Sequence, residues 1–156
     1  MEVDHHEAPG GPAWVEPATW RDLMAVRQLE RVCFPRDAWP LLDIIGVLTL
    51  PSVIRLKALV DGLVVGFSAT DVRQRENLAW VATIGVLPEY RRRGIGGALL
   101  QASERLLKVN RLRLSVRASN LAALRLYERF HFQQVEVWPR YYQYGEQALV
   151  LEKRLR

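Results

Sequence analysis

Hydrophobic and polar positions along the chain follow two periods, and their order predicts the fold class. Segments in which apolar residues alternate with polar ones are typical of strands, and segments with an apolar residue at every third or fourth position are typical of amphipathic helices. The order of these segments predicts β-α-α-β-β-β-α-β-α-β-β. We therefore expect an α/β (α+β) protein whose mixed, mostly antiparallel central sheet has about seven strands and is packed by about four helices.

The first half of the chain predicts a strand, two helices and a hairpin. A short apolar run ending at Val15 is followed by Thr19 and Asp22, which are spaced as in a helix capping box. A second short helix ends before Pro51, and two alternating segments flank the turn-forming pair Asp61-Gly62. The apolar stripe of the first helix consists of Leu23, Val26, Leu29 and Cys33.

The second half predicts the remaining elements around a glycine-rich turn. A strand over residues 78–86 is followed by a helix that opens in the segment 91–97. The next strand, over residues 112–117, places its leucines and Val116 on one face and Arg113, Ser115 and Arg117 on the other. A helix from Ser119-Asn120 to Phe130 and strands over 133–137 and 148–153 complete the order.

Length and composition bound the domain organisation. The chain has 156 residues, of which 49% are hydrophobic and 25% charged, as in a folded protein of one domain. Residues 1–12 show no apolar period and contain two prolines flanking two glycines, which predicts a disordered tail without an assigned function. The folded domain is then predicted over residues 13–156.

Several classes of protein are excluded by simple counts. Cys33 is the single cysteine and has no histidine or cysteine cluster at ligand spacing around it, which argues against a disulfide scaffold and against a metal site. No apolar stretch approaches the ~20 residues that a membrane helix needs, and the first residues lack the basic and apolar regions of a signal peptide. These features predict a cytoplasmic protein without a membrane partner.

The charge balance fits either an anionic ligand or an ordinary solvated surface rich in arginine. The net charge is +5, from 22 Lys and Arg against 17 Asp and Glu, and it fits nucleic acid, a ribosome or a phosphate-bearing cofactor. Nucleic acid is the weakest of these, because the arginine cluster is tied to a helix start and no aromatic-basic binding motif accompanies it. We therefore expect no direct contact with nucleic acid.

The arginine cluster belongs to the strongest local motif of the chain. Bare backbone N–H groups and the positive end of a helix dipole can hold a pyrophosphate, and arginines add full charges. The motif is not the dinucleotide fingerprint, since its third glycine position is Leu99 and a hairpin precedes it, and it lacks the Gly-Lys-Ser/Thr of a phosphate loop. Its residues are Arg91, Arg92, Arg93, Gly94, Ile95, Gly96 and Gly97.

This motif also carries a family resemblance. The segment 84–100, IGVLPEYRRRGIGGALL, resembles the acetyl-coenzyme A signature of the GNAT acetyltransferases, Gln/Arg-x-x-Gly-x-Gly/Ala. Within that family, LSVRASNLAALRLYE at 114–128 is similar to the RimI-type acetyltransferases of ribosomal-protein and other protein N-terminal alanines. The sequences RYY at 140–142, GEQA at 145–148 and CFP at 33–35 with Trp39 match the same branch, so the resemblance extends from about residue 14 to the C-terminus.

The resemblance implies a fold, an activity and a ligand. The fold is the GNAT fold, in which the fourth and fifth strands splay apart, and the cofactor is acetyl-coenzyme A. The implied enzyme transfers acetyl to a primary amine by direct attack through a tetrahedral intermediate. A protein N-terminal α-amine is the favoured acceptor, with a ribosomal protein as one candidate. A small-molecule amine acetyltransferase and a non-catalytic coenzyme-A-binding module are the alternatives.

The resemblance also implies roles for individual residues. The strand residues Ile84, Gly85 and Val86 would pair with the pantetheine arm and polarise the thioester carbonyl, and the arginine-glycine turn of residues 91–97 would hold the pyrophosphate. Asn120 would bind the cofactor near its thiol end, unless it is only a helix cap, and Tyr127 would protonate the departing thiolate, unless it is only a core aromatic. The implied acceptor-binding residues are Phe34, Pro35, Trp39, Ser115, Tyr141 and Tyr142. Packing at a core edge is the alternative for Trp39 and for the neighbouring Tyr144.

Two positions depart from the family pattern. Ser115 stands where the branch has its general base, a glutamate, and a hydroxyl is a poor base at neutral pH. An α-amine with a pKa of about 7.7–8.0 is ~10–20% neutral at pH 7, whereas lysine is neutral in well under ~0.1% of molecules. Loss of the base therefore favours an α-amine acceptor. His131 stands where the family commonly has glycine and is interpreted as a surface histidine, and Cys33 is not expected to act as a nucleophile.

Overall fold

The structure is a computed structural model that describes residues 4–8 and 11–156, with side chains from Ala13 onward. Among these residues it contains eight β-strands and four α-helices, which confirms the predicted mixed α/β class. The strands are β1 (Asp4–Ala8), β2 (Gly11–Pro17), β3 (Val53–Val60), β4 (Leu63–Arg73), β5 (Leu78–Val86), β6 (Arg111–Arg117), β7 (Gln133–Trp138) and β8 (Ala148–Arg154). The helices are α1 (Leu23–Cys33), α2 (Leu41–Thr49), α3 (Ile95–Leu106) and α4 (Leu121–Arg129).

Strand β1 was not predicted by the sequence. It pairs with β2 in antiparallel fashion, with Asp4 opposite Val15 and Ala8 opposite Gly11. The expected disordered tail over residues 1–12 is therefore wrong for residues 4–8, which form β1, and for residues 11 and 12, which begin β2, whereas residues 1–3, 9 and 10 lie outside the described residues. Backbone hydrogen bonds hold such a hairpin, and they do not require alternating apolar side chains, so hydrophobic periodicity carries no signal for it.

Two short-range predictions are confirmed by the backbone. The Thr19 amide donates to Asp22 Oδ2 at 2.8 Å and the Thr19 hydroxyl accepts from the Arg21 amide at 3.3 Å, which makes the capping box that leads into α1. Asp61 and Gly62 have φ angles of 50° and 79° between β3 and β4. Positive φ at both central residues is the geometry of a type I′ hairpin turn.

The contacts of the chain divide it into two compact units. The first holds the described residues up to Asp71 together with Ala82–Leu107, and the second holds Val72–Val81 and Lys108–Arg156. Strand β5 contributes residues to both units. The assignment of residues 13–156 to one domain stays a prediction.

In the first unit, helices cover both faces of the sheet. The strands follow in the order β1-β2-β3-β4, next to which lies the C-terminal half of β5. Helices α1 and α2 pack on one face, where Phe67 of β4 joins their core. Helix α3 packs on the other face against β2 and β3. Because both faces are covered, β4 reads as a continuous buried run over six residues instead of alternating.

Helix α3 lies unusually close to the sheet at Gly66 of β4. A Cβ atom at this position would lie 3.2 Å from Ile95 Cγ2 and 3.2 Å from Leu99 Cδ1. Ile95 is the first residue of α3 and is 2% exposed. The missing side chain at Gly66 therefore sets the depth at which the start of α3, and the turn before it, sits on the sheet.

In the second unit the order of strands is β5-β6-β8-β7. β5 and β6 pair in parallel over Leu78–Trp80 and Arg111–Arg113, whereas β6–β8 and β8–β7 are antiparallel. Buried and half-buried residues alternate without exception along β6. The predicted division of its two faces, with Ser115 beside two arginines, is thus confirmed. No α-helix among the described residues is both long and apolar enough to span a membrane.

Candidate active site

The arginine-glycine turn ends directly at the N-terminus of α3, as predicted. Gly94 is the N-cap residue with a φ of 79°, and Arg92 two residues earlier has a φ of 62°. Being a glycine, this N-cap residue has no side chain with which to cap the 12-residue helix. The N–H groups of the first turn are therefore not occupied by a capping side chain, and the helix dipole places partial positive charge there.

The three arginines of the turn have different environments. Arg91 Nε donates to the carbonyl oxygen of Val86 at 2.9 Å, which ties the turn to the end of β5. The guanidinium of Arg93 lies 5.1 Å from the centre of the Tyr90 ring and is half-buried. Arg92 is exposed. The turn thus combines a fixed backbone with full positive charges, which suits a diphosphate.

The predicted strand residues 84–86 contact helices on both faces of the sheet in the first unit. Ile84 and Val86 pack against the core under α3, and Gly85 faces the end of α1. The Cys33 thiol donates to Val86 O at 3.3 Å. Burial raises the pKa of this thiol, partly offset by Arg91, so Cys33 stays protonated at neutral pH and is a poor nucleophile.

The candidate acceptor loop in the first unit runs from Phe34 to Pro40 between α1 and α2. Phe34 and Trp39 are half-buried, and Pro35 is exposed. Trp39 packs against the α1–α2 core, so the alternative of a core-edge aromatic describes its observed contacts. A role of these three residues in acceptor binding stays a prediction.

A buried carboxylate beneath this loop was missed by the sequence analysis. Glu30 of α1 is 2% exposed, and its Oε1 accepts a hydrogen bond from the Thr83 hydroxyl of β5 at 2.6 Å. Burial raises the pKa of Glu30, while the bonds from Thr83 and from the Trp39 amide act in the opposite direction. The available signal was a carboxylate on the apolar stripe between Leu29 and Cys33, where an aliphatic residue is expected.

In the second unit, Tyr127 of α4 is buried. It is 6% exposed and meets Phe132 in an edge-to-face contact with 5.6 Å between ring centres. Burial raises the pKa of its phenol well above the ordinary value, and the neighbouring Tyr142 adds to the shift. Tyr127 therefore keeps its proton throughout the physiological pH range, where it can act as a proton donor but not as a base.

Asn120 is the N-cap residue of α4. Its Oδ1 accepts a hydrogen bond from the Ala123 amide at 3.2 Å. The alternative that Asn120 is a helix cap is therefore confirmed, and a second role in cofactor binding stays a prediction. His131 follows α4, is exposed and has a φ of 69°. Such a backbone favours glycine, the residue that the family commonly has at this position.

Ser115 lies on the polar face of β6 between two ion-paired arginines. Arg113 Nε contacts Glu152 Oε2 at 2.5 Å, and Arg117 contacts Glu146 at 3.0 Å. Both carboxylates are thus engaged with guanidinium groups on either side of the serine. This face therefore offers Ser115 a polar setting of paired charges, in which both neighbouring carboxylates are held by arginines.

Glu146 also organises the loop that carries the predicted tyrosines. It accepts hydrogen bonds from the amide, at 3.1 Å, and from the hydroxyl of Ser119. These bonds, together with Arg117, lower the pKa of Glu146. Arg117 lies 4.3 Å from the ring centre of Tyr142, whereas Tyr144 is 93% exposed, so its interpretation as a core-edge aromatic is wrong.

An aromatic row continues from this loop and contains two residues that the sequence analysis missed. Trp80 of β5 stacks on Trp138 of β7 at 5.8 Å, and Trp138 lies 5.0 Å from Tyr141. Tyr141 in turn meets Tyr142 edge-to-face at 5.0 Å. The predicted tyrosines are therefore one end of a four-ring row. The sequence does not show this grouping, because Trp80 and Trp138 lie far apart along the chain and meet only in the folded sheet.

Comparison with known proteins identifies the family of the chain. The sequence model of the acetyltransferase (GNAT) family matches residues 20–132. The chain is 32% identical to an N-alpha-acetyltransferase of Sulfurisphaera tokodaii, over 96% of this chain and 98% of that protein. The crystal structure of the ribosomal-protein-S18-alanine N-acetyltransferase of Escherichia coli superposes with a TM-score of 0.84 and 27% identity, covering 92% of this chain and 94% of that one. The structure of Arabidopsis thaliana NAA60 with acetyl-coenzyme A has the same fold, with a TM-score of 0.80, 22% identity, and coverage of 91% and 98%.

Proposed function

The chain belongs to the GNAT acetyltransferase family, and from this premise we propose that it acetylates the N-terminal α-amine of a protein. The family assignment makes the chain an N-acetyltransferase whose acetyl donor is acetyl-coenzyme A. The choice of acceptor and the roles of individual residues belong to the proposal. The observation that carries it is Ser115, which lies between two ion-paired arginines at the position of the branch's general base.

The turn before α3 fits the diphosphate of coenzyme A. The first-turn N–H groups of α3 are not capped by a side chain, and the positive φ angles of Arg92 and Gly94 bend the backbone around this point. Arg92 and Arg93 would supply full charges to the phosphates, and the amides of residues 94–97 would donate hydrogen bonds. Arg91 would act differently, because its Nε is already bound to Val86 O and holds the turn against β5.

Replacing Arg92 and Arg93 together by alanine should raise the Kd for acetyl-coenzyme A at least about tenfold, which corresponds to ~1.4 kcal/mol. The loss should shrink as salt is added, since screening weakens exposed charge pairs. Isothermal titration calorimetry at two salt concentrations measures both effects. Arg75→Ala with Arg154→Ala removes the same charge from exposed sites elsewhere and should leave the Kd unchanged. Wild-type affinity in the Arg92/Arg93 variant would reject the phosphate-binding role.

The chemistry assigned to this chain's residues needs two proton movements. The neutral amine attacks the thioester carbonyl, so that a C–N bond forms and the C–S bond breaks. The nitrogen then passes one proton to solvent water, and solvent returns a proton to the tyrosinate that is left once the sulfur has been protonated. Tyr127, whose phenol stays protonated, would donate its proton to the departing sulfur. The backbone of residues 84–86 would orient the thioester, as the family resemblance implies. No covalent bond between acetyl and the protein is required.

The class of acceptor amine is inferred from the fraction of each amine that is neutral without a general base in the enzyme. At pH 7 an α-amine is ~10–20% neutral, while a lysine side chain is so in well under ~0.1% of molecules. Ser115 cannot remove a proton at this pH, and its neighbouring carboxylates are bound to arginines. An acceptor that arrives already neutral therefore suits this site. The similarity to an N-alpha-acetyltransferase over 96% of the chain supports the same choice.

A peptide screen tests the proposal directly. Peptides of one sequence, differing only in the first residue and including alanine, are incubated with acetyl-coenzyme A and analysed by mass spectrometry. Alanine is included because the Escherichia coli enzyme is named for a ribosomal-protein alanine. At pH 7 we expect acetylation of free N-termini, and acetylation more than about 100-fold slower for N-terminally blocked peptides with an internal lysine. Acetylation of small amines alone would instead assign a small-molecule acceptor. A cytoplasmic location, consistent with the free thiol of Cys33, is part of this proposal.

A further inference from the structure

The end of α1 is joined to β5 through a buried polar contact. The hydrogen bond from Thr83 Oγ1 to Glu30 Oε1 connects residues 53 positions apart, and both side chains are at most 9% exposed. The Trp39 amide lies close enough to the same carboxylate to lower the pKa of Glu30. One carboxylate therefore links α1, the acceptor loop at Trp39 and the strand that leads into residues 84–86.

The end of α1 and the start of the acceptor loop also contact β5 at the next positions along the strand. The Cys33 thiol donates to Val86 O at 3.3 Å. A Cβ atom at Gly85 would lie 3.2 Å from Phe34 Cε2 and 3.3 Å from both Cβ and Sγ of Cys33. Thr83 and Gly85 share one face of the strand, so the start of the acceptor loop lies directly on β5. We call the contact of Glu30 with Thr83 and the Trp39 amide the carboxylate clamp.

Packing alone does not explain a carboxylate at this position. Glu30 lies on the apolar stripe of α1, and its Oε2 is buried without a hydrogen-bond partner of normal geometry among the described residues. Burying a charged or incompletely bonded carboxyl group is costly, and an aliphatic side chain of similar volume commonly stabilises such a site better. A leucine would continue the stripe without this cost. A leucine could supply neither the directional bond to Thr83 nor the attraction to the Trp39 amide.

We propose that the carboxylate clamp is a positioning device which holds the acceptor loop of residues 34–40 at a fixed place on β5 and thereby sets the affinity for the acceptor amine. This inference rests on the proposed function, because it assigns the loop to acceptor binding. Glu30 and Thr83 are positioning residues and need not touch either substrate. The clamp should therefore act on the KM for the acceptor far more than on the Kd for acetyl-coenzyme A.

Paired variants separate the clamp from simple loss of stability. Thr83→Val removes the hydroxyl and keeps the shape, whereas Thr83→Ser restores a hydroxyl; Glu30→Leu removes both oxygens, whereas Glu30→Gln keeps one acceptor. We expect Thr83→Val and Glu30→Leu to raise the acceptor KM about tenfold, as loss of one buried hydrogen bond would. Thr83→Ser and Glu30→Gln should stay within about threefold of the wild type. Thr70→Val removes another buried threonine hydroxyl, which has no hydrogen-bond partner in the part of the chain that the structure describes, and should not change KM.

Hydrogen exchange provides a readout that does not depend on activity. Mass spectrometry of a peptide covering residues 34–42 should show faster exchange of the Trp39 segment in Thr83→Val and wild-type exchange in Thr83→Ser. A wild-type enzyme that acetylates no peptide would refute the proposed function, while this exchange experiment would still decide the clamp. Unchanged exchange, an unchanged acceptor KM, or an equal loss of kcat in Glu30→Gln and Glu30→Leu would overturn the clamp. The last result would show that the charge of Glu30, and not its acceptor oxygen, matters.

Discussion

Replacing Tyr127 by phenylalanine should lower kcat by about 10²- to 10⁴-fold, the usual contribution of a general acid. The Kd for acetyl-coenzyme A should stay within about twofold of the wild type, because the substitution removes one oxygen atom and preserves the buried ring. Tyr127 packs edge-to-face on Phe132, and phenylalanine can keep that contact. Single-turnover measurements with saturating acceptor isolate the chemical step.

The pH dependence gives a second check on Tyr127. Burial raises its pKa above the ordinary value of about 10, so the phenol is protonated in the folded protein over the whole working range. The rate of the wild-type enzyme should therefore show no falling limb from this group below about pH 10. Tyr144→Phe is the matched control, since it removes the same hydroxyl from a side chain that is 93% exposed. Turnover of Tyr127→Phe within about twofold of the wild type in single turnovers would assign the proton donor elsewhere.

On a peptide with both a free N-terminus and an internal lysine, the N-terminus should be acetylated more than about 100-fold faster at pH 7. The ratio of neutral fractions is about 230 to 420 at this pH and only about 3 to 4 at pH 10, where the α-amine is almost fully deprotonated and the lysine is deprotonated in roughly 30% of molecules. The preference should thus fall steeply as the pH rises. Mass spectrometry of the two products after short incubations measures it. Preferred lysine acetylation at pH 7 would contradict the proposal.

The same prediction extends to a variant that restores a base. Ser115→Glu places a carboxylate on the polar face of β6 between Arg113 and Arg117, and it should raise the rate at low pH and flatten the rise with pH. Ser115→Gln has the same length without the charge and should keep the wild-type pH profile. A wild-type limb with an apparent pKa near about 6 that does not follow the acceptor would instead indicate a hidden base such as His131.

The elements of this fold were largely predictable because their signals are local. The capping box at Thr19, the primed turn at Asp61-Gly62 and the alternation along β6 each depend on residues within a few positions of one another. The arginine-glycine turn was predictable for the same reason, since its backbone and charges belong to one short segment. β1 escaped prediction because its pairing with β2 is carried by the backbone and leaves no apolar period.

The sequence by itself determined the fold class, the family resemblance, and the turn and helix start that suit a diphosphate. Only the tertiary structure decided which polar side chains meet across long stretches of chain. Glu30 and Thr83 are 53 positions apart, and Ser119 and Glu146 are 27 apart. Local preferences act over about one or two helical turns, whereas such contacts depend on the path of the whole chain. The presence of Glu30 on the apolar stripe of α1 is explained only by its hydrogen bond with Thr83 of β5, which the sequence does not show.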